Sequence, residues 1–233
     1  MKIYAISDLH LSTTTEKPMN IFGAGWDNYV EKIIADWESK VTDDDVVLIA
    51  GDISWAMDLD DAVKDLEPFA KLKGKKVFIR GNHDYWWKSL SRIRAALPEG
   101  FYVLQNDAVK IGKVVLCGSR GWTVEGSADF TAEDKKLYLR ENERLRLALN
   151  AAAKIREEGD TLIVMIHYPP FNVRREPSLY TSLFEQSNVN KVVYGHLHGK
   201  DCKADLYLKM NGIEYYLTSC DQVDNKLTLI YEE

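Results

Sequence analysis

Short apolar runs that each end in a polar residue are the strongest pattern along the chain. Such runs are typical of buried β-strands, and five of them occupy residues 3–6, 46–50, 77–79, 162–166 and 192–194. Each run is followed within three residues by an aspartate, an asparagine or a histidine. Ligands of open α/β sheets bind outside the carboxyl ends of the strands, so the pattern predicts one functional site where these ends meet.

Helical spacing and short β runs fill the intervals between these strands. Residues 26–41 predict the crossover helix of a βαβ unit, and further helices are predicted at 58–73, 89–97, 131–158 and 178–186. Residues 101–104, 108–111 and 114–117 predict one antiparallel meander, and residues 206–210, 214–219 and 227–231 predict another, with a hairpin turn at Asn211 and Gly212. The chain therefore predicts an α/β fold in which two mixed sheets pack face to face with helices outside. Because the candidate ligands span residues 8 to 198 and one site needs one scaffold, we predict a single domain over residues 1–233.

Composition and charge narrow the class of function. The chain has 45% hydrophobic and 28% charged residues, which is ordinary for a globular protein, and its net charge is −6. An acidic chain is a poor match for sequence-blind binding to long nucleic acid, so nucleic acid is not a favoured partner. The sequence shows no secretory signal and no membrane-spanning run, and its three widely spaced cysteines are typical of reduced thiols. We therefore expect a cytoplasmic protein without a membrane partner.

All five histidines of the chain lie directly behind predicted strands. Asp8 and His10 follow the first strand and, being two residues apart, point to the same side of an extended chain. Gly81 permits a sharp turn between the third strand and the polar residues after it. The remaining polar residues at strand ends are Asp52, Asn82, His83, Asp84, His167, His196 and His198. Scattered core histidines would not all fall at strand ends, so a metal site is the favoured interpretation.

The order of these motifs, Asp-x-His, Gly-Asp, Gly-Asn-His-Asp, His and Gly-His-x-His, resembles the calcineurin-like metallophosphoesterase superfamily over residues 8–198. The resemblance implies a four-layer αββα sandwich with two metal ions at the edge where strand ends meet. It implies that one ion is held by Asp8, His10, Asp52 and His198, and the other by Asp52, Asn82, His167 and His196. It further implies that Asp52 bridges the ions and that His83 remains outside the metal shell and protonates the leaving oxygen. Asp84, next to it, is expected to orient the His83 ring and keep it charged.

These seven ligands combine nitrogen and oxygen donors without a thiolate, which suits two divalent transition-metal ions such as manganese, iron, zinc or cobalt. The positive charge of two divalent ions exceeds the negative charge of two aspartates. A hydroxide that bridges the ions lowers this excess but does not remove it. The site would therefore hold an anion beside a strong nucleophile. We expect a metal-dependent phosphohydrolase in which the hydroxide attacks a small phosphoester substrate.

One departure from related enzymes counts against a protein phosphatase and favours a phosphodiesterase or a small-molecule phosphatase. Phosphoprotein phosphatases of the superfamily carry Gly-Asp-x-Val-Asp-Arg-Gly, whose arginine grips phosphate, whereas here Asp52 is followed by Ile-Ser-Trp-Ala-Met. Candidate substrate contacts in its place are Arg80, Arg120, Arg174, Arg175, Trp55 and Tyr168. Of the three consecutive aromatic residues Tyr85, Trp86 and Trp87, one is expected to line the site and the others to pack.

Three alternatives stay open beside a phosphodiesterase. A nuclease on short or single-stranded nucleic acid could stack bases on Trp55, Trp86 and Trp122, although the acidic charge disfavours it. A phosphomonoesterase would use the same metals. A non-catalytic metal-binding protein is disfavoured because none of the expected ligands is missing.

Overall fold

The computed structural model of the chain describes residues 1–233 and contains eleven strands, five α-helices and two short 3₁₀ turns. The strands are β1 (Lys2–Ile6), β2 (Val46–Ile49), β3 (Lys75–Phe78), β4 (Phe101–Val103), β5 (Ala108–Ile111), β6 (Val114–Ser119), β7 (Thr161–Ile166), β8 (Lys191–Tyr194), β9 (Tyr207–Met210), β10 (Ile213–Leu217) and β11 (Thr228–Glu232). The helices are α1 (Tyr29–Lys40), α2 (Leu59–Ala70), α3 (Leu90–Ala96), α4 (Ala132–Ile155) and α5 (Leu179–Gln186), and the 3₁₀ turns are Met19–Phe22 and Ala24–Trp26. No helix is both long enough and apolar enough to cross a bilayer.

Both faces of the central strands are buried, which explains why the strands are continuous apolar runs. In β1, Ile3 and Ala5 belong to a core between the two sheets, whereas Tyr4 and Ile6 pack with residues of α1, α2 and α3. Strand β7 alternates in the same way between the core between the sheets and the helices α4 and α5. The layers are therefore helix, sheet, sheet and helix, and the predicted αββα fold class is confirmed.

The two sheets meet at the carboxyl edge of their parallel strands. The first sheet has the order β11-β1-β2-β3-β4 and the second has the order β5-β6-β7-β8-β10-β9. A parallel bridge pairs Ser7, just after β1, with Ser219, just after β10, and Ser7 N donates to Thr218 O at 2.8 Å. Loops that leave β1, β2, β3, β7 and β8 thus converge at one place.

The strand pairing predicted for the two meanders is wrong, although most of the predicted strands are present in the structure. Strand β4 pairs in parallel with β3 in the first sheet, so only β5 and β6 form the first hairpin. Strand β11 crosses back to pair antiparallel with β1, which leaves β9 and β10 as the second hairpin. The turn at Asn211 and Gly212 is confirmed, with φ of 51° and 82°. Local periodicity identifies a strand but does not specify which edge of which sheet it joins.

Candidate metal centre

The ends of β2, β3, β7 and β8 bring four predicted ligands together. Asn82 Oδ1 lies 2.9 Å from His167 Nε2 and 3.0 Å from His196 Nδ1. Asp52 Oδ2 lies 3.4 Å from the same His167 nitrogen and 3.7 Å from His10 Nε2. One carboxylate oxygen therefore stands between two groups of ligand atoms, which is the position that a bridging ligand requires.

The second group adds the residues behind β1 and the last histidine. Ligand atoms of Asp8, His10 and His198 all lie within 4.8 Å of one another, and so do those of Asp8, Asp52 and His167. The two sets share Asp8, whereas the resemblance implies that only Asp52 is shared. Both carboxylates thus lie at the centre of the site, and all seven predicted ligands take part in these contacts.

The backbone at the site differs from the extended chain that was expected for Asp8 and His10. Four candidate ligands adopt left-handed conformations: φ is 57° at Asp8, 44° at His10, 51° at Asp52 and 71° at His196. Such conformations cost about 1–3 kcal/mol each for residues with a side chain and are typical of functional sites. Hydrogen bonds across the two loops offset this strain, because Asp8 N donates to Gly51 O and His10 N donates to Asp52 O, each at 3.0 Å.

Gly81 is required for space rather than for a turn. Its φ lies outside the left-handed region, but a Cβ atom there would overlap the backbone nitrogen and Oδ1 of Asp52 and lie 2.8 Å from its Cγ. Gly195 has the same relation to Ser7 and Asp8, whose side-chain oxygens would touch a Cβ at that position. These glycines let the loops after β3 and β8 approach the two central carboxylates.

Hydrogen bonds to backbone atoms and to Ser7 fix the side chains of two predicted ligands, His167 and Asp8. His167 Nδ1 lies 2.8 Å from the Ala50 carbonyl oxygen, which only accepts, so the ring hydrogen is on Nδ1 and Nε2 is directed at Asp52 and Asn82. Asp8 Oδ2 accepts from Ser7 Oγ at 2.6 Å and from His196 N at 3.0 Å. These contacts hold ligand geometry before any ion binds.

Burial and mutual charge set the protonation of the ligands. Burial lowers the pKa of His10 and of His196 to about 3, so both rings are neutral at pH 7 and keep a free nitrogen lone pair. Although burial opposes both shifts, Asp52 raises the pKa of His167 to about 9, and His167 holds the pKa of Asp52 well below its usual range. Burial raises the pKa of Asp8. A cation that replaces the His167 proton would restore a neutral ligand, as metal binding requires.

Several buried polar atoms of the site lack hydrogen-bond partners and are suitable metal ligands. His10 Nδ1, His10 Nε2 and Asp52 Oδ2 are buried without a hydrogen-bond partner, a state that costs about 1–3 kcal/mol per group. The nearby thiol of Cys220 is not a further ligand, because burial raises its pKa and its Sγ donates to Asp8 O at 3.2 Å. Imidazole, carboxylate and amide donors without thiolate match divalent transition metals.

A family comparison agrees with this donor set. The family model described as calcineurin-like phosphoesterase matches residues 1–200. The chain belongs to this family. Two curated relatives from Helicobacter pylori, strains 26695 and J99, are named uncharacterized metallophosphoesterases; they are 23% and 22% identical over 205 and 204 residues, which is 85% of this chain. The chain spans only 44% of the length of each relative.

Two solved structures share the fold. A protein of unknown function from Aquifex aeolicus has a TM-score of 0.52 at 15% identity, with 98% of this chain and 95% of that chain covered. A phosphopantetheinyl hydrolase from Mycobacterium tuberculosis has a TM-score of 0.59 at 14% identity, with 100% and 96% covered. At these identities the likeness shows the fold of this calcineurin-like phosphoesterase and not its substrate.

His83 lies beside the candidate metal ligands of this family member and is not part of the ligand groups described above. Its backbone nitrogen donates to Asp52 Oδ1 at 2.8 Å, and its ring centroid lies 4.4 Å from that of Trp55 and 5.6 Å from that of His10. Its Nδ1 lies 3.3 Å from the hydroxyl of Tyr85, which is 43% exposed, while the next two tryptophans are buried. Tyr85 is therefore the aromatic residue of this run that faces the site.

Asp84 does not orient the His83 ring, so the role predicted for it from the sequence is wrong. The carboxylate is fully buried, and Oδ1 accepts from Ile53 N at 2.9 Å, Ser54 N at 3.2 Å and Trp86 Nε1 at 3.2 Å. Oδ2 accepts from Gly81 N at 2.7 Å. Four donors thus hold the carboxylate away from the ring, and it fastens the loop after β3 to the loop after β2.

We expect Asp84→Ala to destabilise the protein by about 4 kcal/mol or more, because four buried donors lose their acceptor at about 1–3 kcal/mol for each one left unpaired. For a chain of this size the melting temperature should fall by roughly 8–16 °C or more. The matched control is His83→Ala, which removes a half-buried neighbouring ring and should cost about 1 kcal/mol or less. Thermal unfolding of both variants measures this, and an unchanged melting temperature for Asp84→Ala would exclude the fastening role.

The other candidate substrate contacts divide into two groups. The ring centroid of Trp55 lies 4.9 Å from that of His10, and the ring centroid of Tyr168 lies 4.1 Å from that of His196. Both rings therefore line the candidate metal centre. Arg174 and Arg175 instead form exposed ion pairs with Glu176 and Asp205. Trp26, which the sequence predicts at the start of the helix over residues 26–41, is buried but lies in a 3₁₀ turn before that helix. Its ring centroid lies 5.9 Å from that of His10 and 6.0 Å from that of His198. No local signal identifies that contact, because it joins residues far apart in the chain.

Proposed function

We propose that the chain is a metal-dependent phosphohydrolase that prefers phosphodiesters. The observation that carries the proposal is the pair of ligand groups that meet at Asp52 Oδ2, in a buried site where both ring nitrogens of His10 and Oδ2 of Asp52 lack hydrogen-bond partners. Asp8, His10, Asp52 and His198 would hold one ion, and Asp52, Asn82, His167 and His196 the other. When bound, two divalent ions supply charge that stabilises the phosphoryl oxygens and lower the pKa of a water that serves as nucleophile.

The region after Asp52 supports the preference for a diester. Ile53 and Ser54 are buried, and their backbone nitrogens are already bound to Asp84, so this segment offers no cation to the second negative charge of a monoester. Beside His196 and His198 lies a partly apolar groove of about 620 Å³, lined among others by Tyr168 and Phe171. A groove of this size accommodates an organic substituent of the phosphate.

His83 is the residue of the site best placed to move a proton. It is close to Asp52 yet free of the ligand groups, and its Nδ1 is engaged by Tyr85 while the ring packs against Trp55. We assign it the protonation of the leaving oxygen, with Tyr85 as a positioning residue. Burial lowers the pKa of His83, which makes the protonated ring a stronger acid.

The test is turnover by manganese-loaded protein. We expect hydrolysis of bis(p-nitrophenyl) phosphate with a higher kcat/KM than that of p-nitrophenyl phosphate, loss of turnover after chelation, and recovery when Mn²⁺ is restored. A phosphopantetheinyl ester belongs in the same screen, because the Mycobacterium tuberculosis protein of similar fold is named for it. A preference for the monoester would favour a phosphomonoesterase, and cleavage of single-stranded oligonucleotides alone would favour a nuclease. Metal uptake without turnover of any substrate would contradict the proposal.

A further inference from the structure

Three arginines contact one buried glutamate next to the candidate metal centre, and a fourth arginine lies nearby. Glu141 Oε1, on α4, accepts from Arg144 at 2.8 Å, Arg120 at 3.2 Å and Arg140 at 3.4 Å. Arg80, after β3, is half-buried and close enough that the charges of Arg120, Glu141 and Arg144 change its pKa, which burial lowers. We refer to Arg80, Arg120, Arg140 and Arg144 as the arginine cluster.

The arginine cluster is not neutralised by the protein. Even when the buried carboxylate of Asp84, which acts on Arg80, is counted beside Glu141, four guanidiniums face two carboxylates and a surplus of two positive charges remains. The Nε atoms of Arg80 and Arg120 are buried and have no acceptor. Gathering like charges and leaving buried donors unpaired both cost free energy, and an anion bound among them would offset both costs.

A continuous series of side-chain contacts connects the arginine cluster to the candidate metal ligands. The ring centroid of His196 lies 4.1 Å from that of Tyr168, the Tyr168 centroid lies 5.0 Å from that of Trp122, and the Arg120 guanidinium lies 4.7 Å from the Trp122 ring centre. His83 lies on a different part of the rim, against Trp55 and His10. The arginine cluster therefore reaches the metal centre through His196 and does not overlap the proposed proton donor.

We infer that the arginine cluster binds a second phosphoryl group of the substrate, so that the substrate is a small phosphodiester carrying one further phosphate. This inference rests on the proposed function, because it assumes that the first phosphate is at the metal centre. Guanidinium groups match phosphate oxygens with paired hydrogen bonds, and Arg140 and Arg144 are 50% and 42% exposed and free to turn toward a ligand. The net charge of −6 favours a small substrate over a nucleic-acid strand.

The test compares substrates that differ only by the extra phosphate. One pair is thymidine 5′-(p-nitrophenyl phosphate) with and without a 3′-phosphate, and the other is thymidine 3′-(p-nitrophenyl phosphate) with and without a 5′-phosphate. We expect the wild-type protein to prefer the doubly phosphorylated member of at least one pair by about tenfold or more in kcat/KM. Arg140→Ala and Arg144→Ala should each lower that preference severalfold, and Arg140→Glu should abolish it.

The control is Arg146→Ala, on the same helix and 49% exposed, whose guanidinium pairs with Glu143 and not with Glu141. It should leave the preference unchanged, and thermal unfolding should show that all variants are folded. Equal rates within both pairs, or a preference that survives Arg140→Glu, would overturn the inference while turnover of bis(p-nitrophenyl) phosphate still supports the proposed function. Thymidylate oligomers whose cleavage keeps improving beyond the second phosphate would also overturn it, in favour of a nucleic-acid groove.

Discussion

Asp52→Asn is expected to abolish metal-dependent turnover and to lower metal content at both sites. Wild-type protein loaded with Mn²⁺ should hold two ions per chain, and the variant should hold fewer than one. Loss of the several kcal/mol of charge stabilisation that a metal pair provides corresponds to a fall of about 10³-fold or more in kcat/KM. Elemental analysis and diester kinetics on the same preparation measure both quantities.

Asp52→Asn should have this effect because the two carboxylate oxygens of Asp52 make different contacts. Oδ1 accepts from His83 N at 2.8 Å, and Oδ2 is the orphaned atom that faces His10 and His167. An asparagine keeps the shape of the side chain, but its single carbonyl oxygen serves only one of these positions. If the carbonyl stays with His83 N, the amide nitrogen points at the ions and repels them.

His10→Ala is the matched comparison. His10 belongs to one ligand group, with Asp8 and His198, so its loss should weaken one ion and leave the other close to full occupancy. Equal losses of metal from both sites in the two variants would contradict the assignment of Asp52 as the shared ligand. A wild-type content of one ion per chain would contradict the two-metal site itself.

The residues that converge at the candidate metal centre were predictable from sequence because their position depends on local pattern. A strand that ends in Gly-Asp or Gly-His places the polar side chain at the carboxyl edge wherever the strand lies in the sheet. The structure brings together Asp8, His10, Asp52, Asn82, His167, His196 and His198. The layered fold followed in the same way from apolar runs buried on both faces.

The features that were missed depend on partners far along the chain. Asp84 accepts from Ile53 and Ser54, about thirty positions earlier, and nothing around Asp84 itself specifies those donors. The left-handed backbone at Asp8 and His10 arises because this segment binds the loop after β2. Single-domain organisation, a cytoplasmic location and a small phosphoester as partner stay predictions.

His83→Ala should separate metal binding from turnover. The ring is held by Tyr85 and Trp55 and not by any ligand group, so the variant should keep both ions. Removal of a general acid typically costs ~10²–10⁴-fold, and the cost is largest when the leaving oxygen is a strong base. We therefore expect a loss in that range of kcat/KM on alkyl phosphodiesters and a much smaller loss on p-nitrophenyl esters, whose leaving group needs little protonation.

The contacts of the His83 ring seen in the structure suggest two further variants for this experiment. Because the Tyr85 hydroxyl lies 3.3 Å from His83 Nδ1 and Asp84 is committed elsewhere, Tyr85→Phe should reproduce part of the alkyl-ester loss at unchanged metal content and unchanged melting temperature. Asp84→Ala should instead lower stability and reduce turnover of both ester types together. An equal loss on alkyl and p-nitrophenyl esters in His83→Ala would exclude proton donation by this ring, and a loss of metal would make His83 a ligand. The comparison of leaving groups thus distinguishes a proton donor from a residue that only shapes the rim of the metal centre.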